Sequence, residues 1–411
     1  MTLDMGQVVR LLPELVERAR TDAHQREQRL DEALRLLHAA ANDLAGVAHV
    51  VEAAETSWAL ALPYREPFDA AIAPPAELPT DYTVLAVDGS SIDVDRNLPL
   101  ACFVINLGWM HICYGDKPAA CYGSTVDIQP TSDELFMRDN DDPSRETMVR
   151  GEALSLLRSV REMAEAAACA ARFADERPLL ALIDGTLALW NVEKRDLPEA
   201  VVTMLRDGPR GARQALDSLR DLAHDHPVLF GSYVSRTGAT NVANTLRLLA
   251  CPDRPHVVCR RCPGKGKGER PCDAVGIASD ALLMRALLAP WQRSAVFLPR
   301  RPGATSDTWY REAGHEIGFF YLNTGEEIAR VELPLWIADD VHRLGLLHGL
   351  LVRQARDGMG YPLALREAHE QAVISSTDRQ AFITLLSQTC EQSGIPWLIS
   401  AKAWQKRVRA I

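Results

Sequence analysis

The chain has 411 residues, 47% of them apolar, and a formal charge of −10, enough for one large domain or two to three smaller ones with a sizeable core. No apolar run approaches the roughly 18–20 residues of a membrane span, and Met1 to Arg10 lacks the basic-then-apolar layout of a secretory signal. Nine irregularly spaced cysteines make no secreted disulfide framework, so a cytoplasmic protein with no membrane partner is expected; any nucleic-acid partner must be held by locally gathered Lys and Arg.

Residues 1–57 read as an N-terminal amphipathic helical region, with an apolar stripe at Leu11, Leu12, Leu15 and Val16 that continues through Leu30, Leu34, Leu36 and Leu37. Pro63, Pro67, Pro74, Pro75 and Pro79 mark a connector, because proline stops helices. Thr83 to Val87 is a strand that stops at Asp88-Gly89-Ser90, and Leu100 to Trp109 and His111 to Tyr114 follow at hairpin spacing. Residues 123–146 are polar and read as loop. Arg145 to Arg172 carries helical periodicity, and Leu179 to Ile183 is a buried strand ending at Asp184-Gly185-Thr186.

Helix is then predicted over 196–223, strand over 227–234, helices over 239–250 and 278–289, and strand from Ser294 to Leu298. A strand pair, Phe319 to Leu322 and Ile328 to Leu333, turns at Thr324-Gly325, and helices over 338–358, 364–374 and 376–393 close the chain. Strands alternating with helices after an initial run of strands predict an α/β fold. It would be a mixed sheet flanked by helices, with an N-terminal helical extension and C-terminal helices.

Two strands end in an aspartate, Asp88 and Asp184. Carboxylates at the ends of buried strands lie at the mouth of a sheet, where open α/β folds place ligands. Two of them side by side repel unless a divalent cation lies between. A third carboxylate is expected from the helix leading into the second strand, where Glu152 is the candidate and Glu146, Glu162 and Glu165 are rivals on the same helix. His369, on a late helix, is a further ligand or proton carrier.

Arg236 and Arg247 flank a helix start, while Arg300, Arg301 and Arg311 stand near Trp309 and Tyr310; arginines of this kind grip phosphates and aromatics stack on bases. The stretch 251–273 holds Cys251, Cys259, Cys262 and Cys272. One Cys-x-x-Cys with two outlying cysteines is compatible with a four-thiolate Zn²⁺ site, although the spacing is irregular. The same stretch carries Arg260, Arg261, Lys265, Lys267 and Arg270 among glycines, which favours a basic loop that touches DNA phosphates.

From about residue 80 to the C-terminus the chain resembles bacterial members of the NurA family of 5′–3′ nucleases. The resemblance rests on Leu85 to Ser90, Ile183 to Leu187, Gly231 to Arg236, Arg293 to Phe297, Ile328 to Pro334 and Gly360 to Glu370, six segments in order. It implies an RNase H-like core over 80–411, with 251–273 as an insertion, in which Asp88 and Asp184 ligate Mn²⁺ or Mg²⁺. By position Glu152 and His369 would complete the set. Lys402 resembles the family's C-terminal end and would reach the active site.

The resemblance also implies a homodimer with a DNA channel that works with a hexameric HerA-type ATPase in DNA-end resection and repair. Hydrolysis would use two ions about 3.5–4 Å apart, one activating water and one stabilising the leaving oxygen. Two rival readings remain: an actin-like-superfamily ATPase or phosphotransferase, and a catalytically silent NurA-like module that docks on the ATPase ring.

Overall fold

The computed structural model describes residues 4–94, 100–129, 135–138, 146–189, 197, 199–264, 270–277, 279–301 and 306–395. Helix α1 (Met5–Ala39) is capped by Asp4, which accepts from the Gln7 amide at 3.1 Å, and α2 (Leu44–Ala53) is capped by Asp43. Strands β1 (Leu60–Pro63) and β2 (Ala71–Ile72) follow, then three long strands, β3 (Tyr82–Ile92), β4 (Phe103–Tyr114) and β5 (Ala119–Gln129). A two-stranded ribbon, β6 (Phe136–Arg138) with β7 (Glu146–Met148), precedes α3 (Glu152–Phe173) and β8 (Leu179–Asp184). Next come α4 (Glu199–Asp207), α5 (Ala212–Asp225), β9 (Val228–Val234), α6 (Asn241–Leu249) and α7 (Asp280–Leu287).

The last third holds β10 (Arg293–Ser294), β11 (Phe297–Arg300), α8 (Ser306–Glu312), β12 (Ile317–Asn323) and β13 (Ile328–Pro334). It ends with α9 (Leu335–Ala338), α10 (Val341–Asp357), α11 (Leu363–Ala372) and α12 (Ser376–Gln392).

The chain divides into two compact units. One comprises 1–74, 235–304 and 318–331, the other 75–234, 305–317 and 332–411. Helices α1 and α2 pack against α6 of their own unit, so the N-terminal helices share a core with residues far along the chain. In that first unit β1 pairs antiparallel with β11, β11 with β12, and β10 with both β2 and β12.

In the second unit the strands run β5-β4-β3-β8-β9, with β3, β4 and β5 antiparallel and β3, β8 and β9 parallel. Three antiparallel strands followed by two parallel ones, with α3 and α5 as the crossovers, is the RNase H-like arrangement the sequence pointed to. Odd-numbered residues of the central strands, among them Leu85, Val87, Leu179, Ala181 and Ile183, enter one apolar core with Leu157, Val160 and Met163 of α3. The even-numbered positions, Asp88 and Asp184 included, face the other side.

Several elements depart from expectation: the helix expected over 196–223 is two, α4 and α5, and Glu146 to Met148, expected as helix, is strand β7. The hairpin expected within 100–114 is one continuous strand, β4. The polar stretch expected as loop supplies β5, an edge strand whose pattern is inverted. Tyr122, Val126 and Ile128 are exposed, while Thr125 donates to Glu165 at 2.9 Å and Asp127 lies 3.5 Å from Arg161 and 3.1 Å from Arg210. A covered face built from hydrogen bonds and ion pairs gives no apolar alternation to read. No helix among the described residues is long and apolar enough to cross a membrane.

Candidate metal centre

Strands β3 and β8 run parallel with Val87 opposite Ile183, so Asp88 and Asp184 stand in register on adjacent strands and the same face. Neighbouring strands are about 4.8 Å apart, which brings the two carboxylates together. Burial raises the Asp184 pKa above the ordinary aspartate value and the Asp88 charge raises it further, while Tyr361 and His369 work against the shift. The Tyr361 hydroxyl donates to Asp184 Oδ2 at 3.1 Å, and its ring meets Tyr233 edge-on. Gly185, at φ +97°, donates its amide to the Tyr233 carbonyl and turns the chain away immediately after the aspartate.

Helix α11 brings the histidine. His369 Nδ1 lies 2.6 Å from Asp88 Oδ2, while the Gly89 amide donates to Asp88 Oδ1 at 2.7 Å. The helix can lie this close because Gly108 is the cross-strand partner of Asp88: a Cβ there would fall 2.6 Å from the Ala368 carbonyl oxygen and run into the Ala372 amide. Carbonyls at the end of α11 are bound by the sheet. Asn106 Nδ2 donates to Gln371 and Ala372 at 3.1 and 2.8 Å, and the Ser90 hydroxyl donates to Ala372.

The third carboxylate reaches in from the opposite face. Glu162 of α3 is 2% exposed, and its Oε1 is 3.2 Å from Arg158 Nε. Asp88 and Gly89 are consecutive in a strand and point to opposite faces, so the bare Gly89 is the opening through which Glu162 approaches the aspartates; a Cβ there would lie 2.5 Å from Oε1. Burial pushes the Glu162 carboxyl well above the usual range; Arg158 opposes this, and Asp88 and Asp184 add to it. Three carboxylates and an imidazole are a hard, oxygen-rich donor set of the kind that suits Mg²⁺ or Mn²⁺. Among the described residues no three His, Cys, Asp or Glu side chains already stand in coordinating geometry. Here each acid is held by a protein group: Glu162 by Arg158, Asp88 by His369 and Asp184 by Tyr361.

In the family comparison the NurA domain matches residues 82–374 of this chain. The chain belongs to the NurA family. Members of that family are known as nucleases, and the matched span contains the whole cluster. Among solved structures, a NurA described as bound to dAMP and manganese is 12% identical over 94% of this chain and 98% of that one, with a TM-score of 0.39. A second NurA structure is 15% identical over 76% of this chain and 90% of that one, with a TM-score of 0.34. LC9-RNase H1, a type 1 RNase H with the type 2 active-site motif, is 11% identical over 42% of this chain and 72% of that one, with a TM-score of 0.21. No curated protein matches the chain.

Against the NurA expectation, the structure changes one member of the cluster. Glu152 is exposed at the first residue of α3, ten residues before Glu162 and so about 15 Å away along the helix. Burial separates the rivals: of the helix glutamates whose side chains are described, Glu162 alone is buried, although Glu165 also stands beside a buried alanine and one turn before buried Cys169, so no sequence signal distinguished it. Glu165 instead accepts from Thr125, and the Glu146 side chain lies outside the described residues.

The expected DNA contacts are scattered. Tyr310 is 1% exposed; its hydroxyl donates to the Leu187 carbonyl and accepts from the Leu189 amide, both at 2.9 Å, so it braces the loop after Asp184 and cannot stack on a base. Arg247 is ion-paired with Asp273 and stacked over Trp58 at 4.4 Å. Arg260 pairs with Glu55 at 2.9 Å. Arg236 and Arg261 are exposed, and Arg300 and Arg301 are half-buried at the end of β11. Lys265, Lys267 and Lys402 lie outside the described residues. Sequence reasoning missed Glu332, which is buried and accepts from the Thr186 hydroxyl at 2.7 Å and the Leu187 amide at 2.9 Å, fixing the turn that follows Asp184.

The raised Asp184 pKa has a thermodynamic sign. An acid whose pKa is higher folded than unfolded contributes stability that is intact below the ordinary carboxylate range and lost as pH rises through the folded value. Asp184→Asn removes that penalty and keeps an oxygen for Tyr361. In EDTA at pH 7 its Tm should exceed that of the parent, and the gain should shrink as the pH falls to about 4, where the unfolded aspartate is itself half protonated. Calorimetry at the two pH values checks this; an equal gain at both would mean packing, not charge, is responsible.

Proposed function

We propose that this NurA-family chain is a divalent-metal-dependent DNA nuclease, a phosphodiester hydrolase whose site is Asp88, Asp184, Glu162 and His369. The observation that carries the reading is the in-register placement of two strand-end aspartates, Asp88 buried and Asp184 half-buried, with a buried carboxylate, Glu162, entering behind a glycine. Mn²⁺ or Mg²⁺ held by the three acids would supply Lewis-acid activation of water and charge stabilisation at the leaving oxygen.

The chain's own groups do the rest. Asp88, central to the cluster, touches the imidazole on one side and repels both other acids, so it fixes their spacing. His369, half exposed and hydrogen-bonded through Nδ1, is oriented by Asp88 in the way second partners orient catalytic imidazoles, with Nε2 left to bind or move a proton. Tyr361 and Glu332 hold Asp184 and its loop in place. We further propose that the chain acts as a homodimer with a HerA-type translocase in DNA-end processing, the partners that the sequence resemblance implies. A catalytically silent docking module would have no use for acids gathered at a cost in free energy, and ATP-independent cleavage would separate the nuclease from the actin-like reading.

Asp88→Asn tests the assignment. DNA binding should persist within about threefold while cleavage in Mn²⁺ falls on the order of 10³-fold, the scale of losing a central catalytic group. The readout is degradation of labelled single- and double-stranded DNA, with EDTA and an ATP-free reaction as controls. A purified variant that still cleaves at the parental rate removes Asp88 from the mechanism.

A further inference from the structure

In the unit formed by 1–74, 235–304 and 318–331, four cysteines from three separate positions line one small cavity of about 40 Å³. Cys251 lies two residues beyond α6. Cys259 and Cys262 bracket a 3₁₀ turn (Cys259–Arg261) closed by the Cys262 amide donating to the Cys259 carbonyl at 3.3 Å, and Cys272 is in a second 3₁₀ turn, Pro271–Val275. We propose that these four thiols form a structural zinc site that cross-links the segment between α6 and α7. The proposal is independent of the carboxylate cluster, and its failure would leave the nuclease reading untouched.

Four observations support it. The first is convergence: residues 251, 259, 262 and 272 are irregularly spaced along the chain, yet all four line one cavity, whose walls include Trp58, Val257 and Pro271; no three of the thiols already stand in coordinating geometry, so the site requires their side chains to turn inward. The second is the segment itself. The described residues between Leu249 and Asp280 form two 3₁₀ turns and one isolated bridge, Val258 with Glu55, but no strand. Stretches this long without regular structure are uncommon in a compact unit and need another source of order.

The third is charge. A zinc ion with four thiolates carries two net negative charges, and Arg247 and Arg270 line the same cavity, stacked on Trp58 at 4.4 and 5.7 Å; Asp253 also lines it, and Asp273 already neutralises Arg247. The fourth is redox state. All four are free thiols, with Cys272 buried and the other three half-buried, so their proximity is not explained by a disulfide. On binding, Zn²⁺ replaces four protons, one from each thiol, with no change of oxidation state, and the sulfurs close on the ion by side-chain rotation into the cavity they line.

The test uses the full chain, purified under reducing conditions from zinc-supplemented cells. X-ray absorption should show about one zinc per chain with an all-sulfur shell near ~2.3 Å. The Cys259→Ser, Cys262→Ser double variant should lose that sulfur-bound zinc, and Asp88→Asn should keep it. If the cysteine variant does not fold, Co²⁺ added to the zinc-stripped parent should give thiolate-to-cobalt charge-transfer absorption of tetrahedral type. Zinc bound only through oxygen and nitrogen, no cobalt–thiolate band, or a disulfide among the four in non-reducing peptide maps would each overturn the proposal.

Discussion

Glu162→Gln should reduce Mn²⁺-dependent DNA cleavage on the order of 10²–10³-fold, whereas Glu152→Gln should leave it within about twofold. The two glutamates are on one helix and differ in what the sheet offers them. Glu162 is buried against Arg158 and approaches the aspartates where Gly89 has no side chain, and Glu152 is exposed at the helix start. Glutamine keeps the shape and a hydrogen-bond acceptor for Arg158 but has no charge with which to bind a cation. Loss of cleavage should therefore come with weaker Mn²⁺ binding, measured by titration calorimetry, and little change in the far-ultraviolet circular dichroism. Equal activity of both variants would exclude Glu162 and with it the assembly of three acids. A matching loss in Glu152→Gln would mean that α3 presents a different turn to the metal.

Gly108→Val should be the most damaging single change outside the acids. Asp88 and Gly108 are cross-strand partners, and the space above Gly108 is filled by the α11 backbone rather than by a side chain that could swing aside. Valine forces α11 off the sheet. That movement breaks the Asn106 and Ser90 bonds to its last carbonyls and the His369 contact with Asp88. Overpacking against backbone costs about 3 kcal/mol or more, so Tm should fall by about 5 °C or more and cleavage by at least tenfold. Gly108→Ala should show a smaller loss of the same kind. Hydrogen exchange should localise the effect to 363–372; protection unchanged there would show that α11 does not depend on this approach.

Much of the core was legible because the relevant interactions are local. A five-residue apolar run that stops at Asp-Gly has few structural meanings, and two such runs alternating with helix imply adjacent parallel strands. Asp88, Asp184 and the side-by-side placement of β3 and β8 followed from that; the pairing of β9 with β8 came from the structure. Strand β5 did not, because its covered face is satisfied by Arg161, Arg210 and Glu165, partners 34 to 83 residues away. Tyr310 looked like a stacking residue beside Arg311 and Trp309, but its hydroxyl serves the backbone of a loop more than 120 residues earlier.

The sequence by itself determined the fold class, the two strand-end aspartates and the family, since hydrophobic period and turn chemistry are properties of neighbours along the chain. Only the tertiary structure decided which glutamate joins them, how α11 reaches Asp88, where the unit boundaries fall and that four unevenly spaced cysteines share a cavity. Each of these depends on the close approach of segments far apart in sequence. Such approaches are set by the absence of a side chain at Gly89 or Gly108, and by the packing of 3₁₀ turns, which leave no periodic trace in the residues that make them.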